Sequence, residues 1–268
     1  MKTTLGFFGA GKMAEGILAA ASLMKGFNPK HVLMAEKVPA RAQELAEKYG
    51  VRTTADAKEV AKAAPVIFLA VRPQDLAALA ADVKPLLTAK TLVVSIAAGK
   101  NLATLKKVLG KEVRLVRVMP NLALRAKEGM CAVCGGKNAT AEDVKLVQDI
   151  LAGAGKTVVL PEKNFDAVTA LSGSGPAFFA FMEKAMAEGG RKLGLPKDAA
   201  RLLAEQTMLG TAAYLRQSGA DLEAFIAGVA TPGGTTAAGM DVMKASDFAE
   251  IVAKTLKAAS DRSKELGK

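Results

Sequence analysis

The rhythm of apolar and polar positions changes once along this chain, near Pro161. Before it, short apolar runs alternate with helically spaced stretches. "TTLGFFGAG" predicts a strand running into glycines and "KMAEGILAAASLM" a helix. "HVLMAE" predicts a second strand, "PARAQELAEKYG" a helix stopped by Gly50, and "VRTT" a third strand. "PVIFLAV" and "TLVVSIAAG" are apolar throughout, as strands buried on both faces of a parallel sheet are, and "QDLAALAADVKPLL" between them predicts a helix. "VRLVRVMP" and "GMCAVCGG" add two strands, "AEDVKLVQDILAGAG" a helix and "KTVVLP" a last strand. The alternation implies an α/β domain with a doubly wound sheet over residues 1–161.

Over residues 162–268 no strand-like run recurs. "NFDAVTAL", "GPAFFAFMEKAMAEGGRKLGL", "PKDAARLLAEQTMLGTAAYLRQS", "DLEAFIAGV" and "DFAEIVAKTLKAASDRSKELGK" all have helical spacing, so the second domain is expected to be all helix. Two glycine-rich segments interrupt it. "LSGSGP" reads as a helix break and restart, with Ser174 as N-cap and Pro176 near the first helical position. "ATPGGTT" places Pro232, Gly233 and Gly234 ahead of two threonines.

Composition narrows the function classes. With 268 residues, half of them hydrophobic, the chain can bury a full core. No apolar run approaches the roughly 20 residues of a membrane span, and glycines interrupt the N-terminal run where a signal peptide needs an apolar core. The expected protein is soluble and cytoplasmic. The formal charge of +11 would suit nucleic acid or a small anion. The cations are spread along the chain, aromatics make up 4% and Trp is absent, so bases would find few stacking platforms, and nucleic acid is not the expected partner. Cys131 and Cys134 form C-x-x-C, but a structural zinc site needs two further ligands and the single histidine, His31, stands in "KHVLMAEK", a predicted strand. Both cysteines read as positions in a buried strand, and no metal is expected.

Chemistry concentrates first at Gly9-Ala10-Gly11-Lys12-Met13-Ala14, a G-x-G-x-x-A pattern between strand and helix. Gly9 allows the tight turn, Gly11 lets a pyrophosphate approach the helix N-terminus, and Ala14 permits close packing of helix on strand. Glu36, at the end of the second strand, stands where a carboxylate accepts hydrogen bonds from an adenosine ribose. Two further loops follow predicted strands: "AVRPQ", with Ala70, Val71, Arg72 and Pro73, and "SIAAGK", with Ala97. Arg72 suits either a solvated surface charge or a cation beside a pyrophosphate. The cofactor is therefore expected to be NADH or NADPH. Glu36 repels a 2′-phosphate and favours NADH, while Lys37 and Arg41 carry charge that could swing toward the phosphate.

Taken together, "GFFGAGKMAEGI", "FLAVRPQ", "LVVSIAAG", "RVMPN", "AVTALSGSGPAF" and "ATPGGTTAAG" resemble pyrroline-5-carboxylate reductase over nearly the whole chain. The S-G-S-G-P and P-G-G-T-T segments are the distinctive pair. The resemblance implies a Rossmann domain followed by a helical dimerisation domain. It also implies reduction of the small molecule 1-pyrroline-5-carboxylate to L-proline by NADH or NADPH, and homodimers able to associate further. By the same resemblance Thr231 and the backbone at Gly234 and Thr235 hold the substrate carboxylate. Thr236 hydrogen-bonds the ring nitrogen as the catalytic contact, and Glu162, Ser172 and Ser174 stand near that pocket. A β-hydroxyacid dehydrogenase would share this plan, but the segment "GPAFFAFMEKAM" lacks the Lys-x-x-Asn arrangement of such enzymes. A non-catalytic dinucleotide sensor or a basic nucleic-acid-binding protein would draw only on the dinucleotide motif or the charge.

Overall fold

The computed structural model describes residues 4–267. Strand and helix alternate from the start: β1 (Leu5–Phe8), α1 (Lys12–Ala21), β2 (Val32–Ala35), α2 (Pro39–Tyr49), β3 (Arg52–Thr54), α3 (Ala57–Ala63), β4 (Val66–Leu69), α4 (Leu76–Val83), β5 (Leu92–Ser95) and α5 (Leu102–Leu109). β6 (Arg114–Pro120), β7 (Gly129–Gly135), α6 (Ala141–Leu151) and β8 (Gly155–Val159) follow. The strands form one sheet in the order β3-β2-β1-β4-β5-β6-β7-β8. Its pairs are parallel except β6 with β7, which run antiparallel.

The apolar runs become strands because both faces of the sheet are covered. Phe7, Met34, Phe68 and Val94 pack on one side, Phe8, Leu33, Ile67 and Val93 on the other, so neighbouring residues of one strand serve opposite cores. Phe7 and Phe68 stack with their ring centroids 5.3 Å apart. Helix ends follow their local chemistry. Pro39 opens α2, and Gly50 closes it at φ 69°, a left-handed conformation that suits glycine. Thr140 and Asp143 exchange side-chain and backbone hydrogen bonds in a capping box on α6.

The structure adds two helices that the sequence pattern did not predict, α3 and α5. They have seven and eight residues, so their periodicity spans only two turns, but each carries an N-cap signal: Asp56 accepts from the Lys58 amide and Asn101 from the Thr104 amide. His31 ends a short 3-10 turn ahead of β2 rather than standing in the strand.

Helices alone follow β8: α7 (Phe165–Val168), α8 (Gly175–Lys192), α9 (Lys197–Ser218), α10 (Leu222–Val229), α11 (Thr235–Ala245) and α12 (Phe248–Leu266). The expected break at "LSGSGP" is instead a widened turn. Thr169–Gly173 form a π-helical turn, and Ser174 follows it with φ -85° and ψ -24°, donating its amide to the Thr169 carbonyl at 2.8 Å. It closes the π turn as its C-cap rather than serving as the N-cap of α8 with its side chain, and α8 starts at Gly175, ahead of Pro176, which has no amide to donate.

By its contacts the chain divides into two compact units. One comprises the chain through Ser174 together with the tail from Ala259, the other Gly175–Ala258. Residues just beyond Pro161 belong to the first unit because they are anchored there: Phe165 is buried with Ala132 and Cys134, and Ser263 donates to Asp166 at 2.7 Å. No helix among the described residues is long and apolar enough to cross a membrane.

Candidate active site

The parallel order of β2, β1, β4 and β5 sends their carboxyl ends to one edge of the sheet, and the residues of the glycine motif and its companion loops collect there. Gly9 has φ 89°, and a Cβ on it would meet the Ala70 carbonyl at 2.9 Å. The turn therefore needs glycine both for its backbone conformation and for its approach to the loop after β4. Gly11 is the N-cap of α1, with no side-chain cap, and a Cβ built on it would project into open space. The first amides of α1, from Lys12 and Met13, thus open toward a place where a pyrophosphate would fit.

Ala10 is wholly buried and held from both sides. Its amide donates to Glu36 Oε2 at 3.3 Å and its carbonyl accepts from Arg41 Nε at 3.0 Å. Glu36 also accepts from the Val38 amide at 2.9 Å, which fixes its carboxylate at the end of β2. Arg41 is engaged within the protein: it donates to Glu15 at 2.6 Å and pairs with Glu44 at 2.8 Å. Glu15 also accepts from Lys48 at 2.7 Å and Tyr49 at 3.1 Å. Burial opposes its charge, yet the hydrogen bonds from Lys48, Arg41 and Tyr49 outweigh that and hold the carboxyl down at about 2. Sequence reading missed this cluster because its members stand 26 to 34 residues apart.

In the loop after β4, Ala70 donates its amide to the Phe8 carbonyl and Val71 packs on the core. Arg72 is exposed and bonded to Asp75 at 2.8 Å, and Pro73 opens a 3-10 turn. After β5, Ala97 is buried and its amide donates to Ser95 Oγ at 3.3 Å.

Glu162 lies in the same unit, but its carboxylate is engaged within the protein. It accepts from the Leu102 amide at 2.6 Å, the first of α5, and from Arg117 at 3.0 Å. Arg117 is buried in β6 with its guanidinium 4.7 Å from the centre of the Phe165 ring. The signal for it was a cation inside the apolar run "VRLVRVMP". Ser172 lies 3.5 Å from Asn121 Nδ2, which joins the "RVMPN" end of β6 to the "SGSGP" turn, and Ser174 takes part through its backbone.

The remaining predicted residues lie in the helical unit. The Gly234 amide donates to the Thr231 carbonyl at 2.9 Å, closing a tight turn through Pro232 and Gly233, and Gly233 has φ 74°. A Cβ on Gly234 would stand 2.8 Å from Thr231 Oγ1. Gly234 is the N-cap of α11 with no side-chain cap, so the amides of Thr235 and Thr236 begin the helix beside three exposed threonine hydroxyls. Such an arrangement of donors suits a carboxylate.

The two cysteines do not form a pair. Three residues apart on β7, Cys131 faces one core and Cys134 the other, and burial raises the Cys131 thiol to about 11. Among the described residues no three His, Cys, Asp or Glu side chains come together to hold a metal.

Comparison with known proteins decides the family. The chain is 36% identical to pyrroline-5-carboxylate reductase 3 of Rattus norvegicus over 264 residues, 98% of this chain and 96% of that protein. It is equally similar to the pyrroline-5-carboxylate reductase of Methanosarcina acetivorans, covering 98% of each. The chain belongs to the pyrroline-5-carboxylate reductase family. Residues 162–266 match the family model for pyrroline-5-carboxylate reductase dimerisation, and residues 4–99 match that of coenzyme F420-dependent NADP oxidoreductases. Among solved structures, a pyrroline-5-carboxylate reductase from Coxiella burnetii aligns over the full length of both chains, with a TM-score of 0.94 and 31% identity. The Plasmodium falciparum reductase, solved with NADP bound, aligns with a TM-score of 0.86 and 27% identity over 99% of this chain and 98% of that one. As a reductase of this family, the chain carries the fold expected from its sequence: a largely parallel Rossmann-like sheet followed by helices.

Proposed function

We propose that this protein reduces 1-pyrroline-5-carboxylate to L-proline by hydride transfer to the imine carbon C5. The observation that carries the reading is full-length identity of 36% to named reductases, together with an open glycine turn on α1 and a threonine-rich turn on α11. A bound NADH or NADPH supplies the hydride. Gly9, Ala10, Gly11, Lys12 and Met13 cradle its pyrophosphate, with Ala70, Val71, Arg72, Pro73 and Ala97 on the same rim. Thr231, Gly234 and Thr235 hold the substrate carboxylate. Family likeness adds Glu162, Ser172 and Ser174 to the substrate-binding residues, and the Glu162 carboxylate is bonded to Arg117 and to the Leu102 amide.

Thr236 orients the ring nitrogen. A threonine hydroxyl is too weak an acid to supply the proton. The chain's one histidine, His31, precedes β2 and so lies at the opposite end of the strands from the dinucleotide turn. The nitrogen therefore enters already protonated or takes its proton through water. Thr236→Ala is expected to lower kcat/KM about 10–1,000-fold while leaving the Kd for NAD(P)H unchanged. Wild-type efficiency in that variant would remove Thr236 from the mechanism.

NADH is the favoured cofactor. Glu36 is fixed at the end of β2, where an adenosine ribose would lie, and Arg41 is engaged elsewhere, so the cation next in sequence to meet a 2′-phosphate is the exposed Lys37. A wild-type enzyme preferring NADPH tenfold would reverse this reading.

The working form is a cytoplasmic homodimer, built through the helical unit and able to associate further. Residues 162–266 match a dimerisation family, and that unit exposes Phe179, Phe181, Leu202 and Val242. The deciding experiment follows NAD(P)H oxidation with pyrroline-5-carboxylate, with a β-keto acid and with no substrate. Turnover confined to the first supports the assignment. Turnover with the keto acid instead, or none by a folded sample, refutes it.

A further inference from the structure

We infer that Glu15 and Arg41 form a lock on the dinucleotide turn, in which Arg41 positions the turn and Glu15 keeps Arg41 from serving a 2′-phosphate. The inference rests on the reading of that turn as an NAD(P)H site and assigns two specificity-determining residues to it.

An arginine shortly after the second strand of such a domain is placed to accept the 2′-phosphate that distinguishes NADPH. Here Arg41 occupies that stretch, in the first turn of α2, but every nitrogen of its guanidinium already has an acceptor. Nε bonds the Ala10 carbonyl at 3.0 Å, Nη2 bonds Glu15 at 2.6 Å and Nη1 bonds Glu44 at 2.8 Å. Its side chain is only 20% exposed. The first of these bonds acts on the cofactor loop itself. With the Ala10 amide bonded to Glu36, the two peptide groups flanking Ala10 are gripped from opposite sides, and the turn is shaped before any ligand arrives.

Glu15 makes the arrangement hard to undo. It sits one turn into α1, its side chain is 12% exposed, and its second oxygen is tied to Lys48 and Tyr49 at the end of α2. For Arg41 to turn toward a phosphate, the Ala10 carbonyl and the Glu15 carboxylate would each lose a partner in a largely buried place, where lost partners are costly. The cation is present in the sequence but withheld by the fold.

Equilibrium binding of NADH and of NADPH, followed by nicotinamide fluorescence on the full chain, tests the lock. In Arg41→Met both affinities should fall together, about 3–10-fold, with their ratio unchanged, because the variant loses a hydrogen bond that shapes the turn for either cofactor. In Glu15→Gln, which removes the ion pair to Arg41 Nη2, the ratio should move toward NADPH by about fivefold or more, and the double variant E15Q/R41M should abolish that move. Three results overturn the proposal: selective loss of NADPH in R41M, no loss of either cofactor in R41M, or an E15Q ratio that is unmoved or that moves without Arg41. Should E15Q fold poorly, as its melting temperature would reveal, the R41M ratio alone decides. Wild-type protein that binds neither cofactor would overturn the dinucleotide reading itself, an outcome distinct from an unequal loss.

Discussion

Two phenylalanines of the sheet and two of the helices make the sharpest contrast in the molecule. Phe7 and Phe68 are wholly enclosed, whereas Phe179 and Phe181 on α8 are 64% and 71% exposed. Within Gly175–Ala258 the one apolar side chain that is buried is Ala200. The two units thus spend similar sequence in different ways. The first satisfies its apolar positions within one chain, because a sheet with helices on both faces closes on itself. The second forms regular helices whose apolar positions face outward, a surface suited to a second copy of the chain.

The largest expected effect tests the closed unit. Phe68→Ala should cost about 3–5 kcal/mol of stability, the range for emptying a buried aromatic site, measured by urea unfolding. The open unit should respond through assembly. Phe181→Glu is expected to remove about 2–4 kcal/mol of association free energy and shift light scattering toward the mass of one chain, while far-UV circular dichroism keeps its helical signal. An unchanged oligomer would show that this face does not serve assembly and would erase the contrast.

A smaller effect should appear in acid and belongs to the closed unit alone. The Glu15 carboxyl is depressed from 4.5 to about 2 in the folded chain, so its ionised form stabilises the fold. That contribution is complete above the ordinary carboxylate range and is lost as pH falls toward 2, amounting to at most about 3 kcal/mol. Glu15→Gln should flatten the pH dependence of the melting temperature over that interval. The smallest effect concerns the thiols. Cys131 should react with a thiol reagent at pH 8 only as fast as the protein unfolds, since burial raises its pKa to about 11.

Legibility in the sequence followed the range of the interaction. Apolar runs such as "PVIFLAV", glycine stops such as Gly50 and the turn at Gly9 could be read because each is decided by a few neighbouring residues. α3 and α5 were missed because two turns give too little periodicity to stand out, although Asp56 and Asn101 marked their starts. The candidate site was half legible. The turns at Gly9–Met13 and Thr231–Thr236 announce themselves, but the partners that shape the rim do not. Arg41 has a local sequence context that suggests a free cation, and only the return of α2 beside α1 reveals its bond to Glu15. Arg117 and Glu162 meet across 45 residues by the same logic.

The tail of α12 has a consequence for how the protein is made. Ser263 bonds Asp166, and a Cβ on Gly99 would stand 3.1 Å from the Leu266 carbonyl, so the final turns lean on the loop that follows β5. A ribosome delivers those turns after all the helices of the other unit. The cover of that loop is therefore the last part of the first unit to be synthesised.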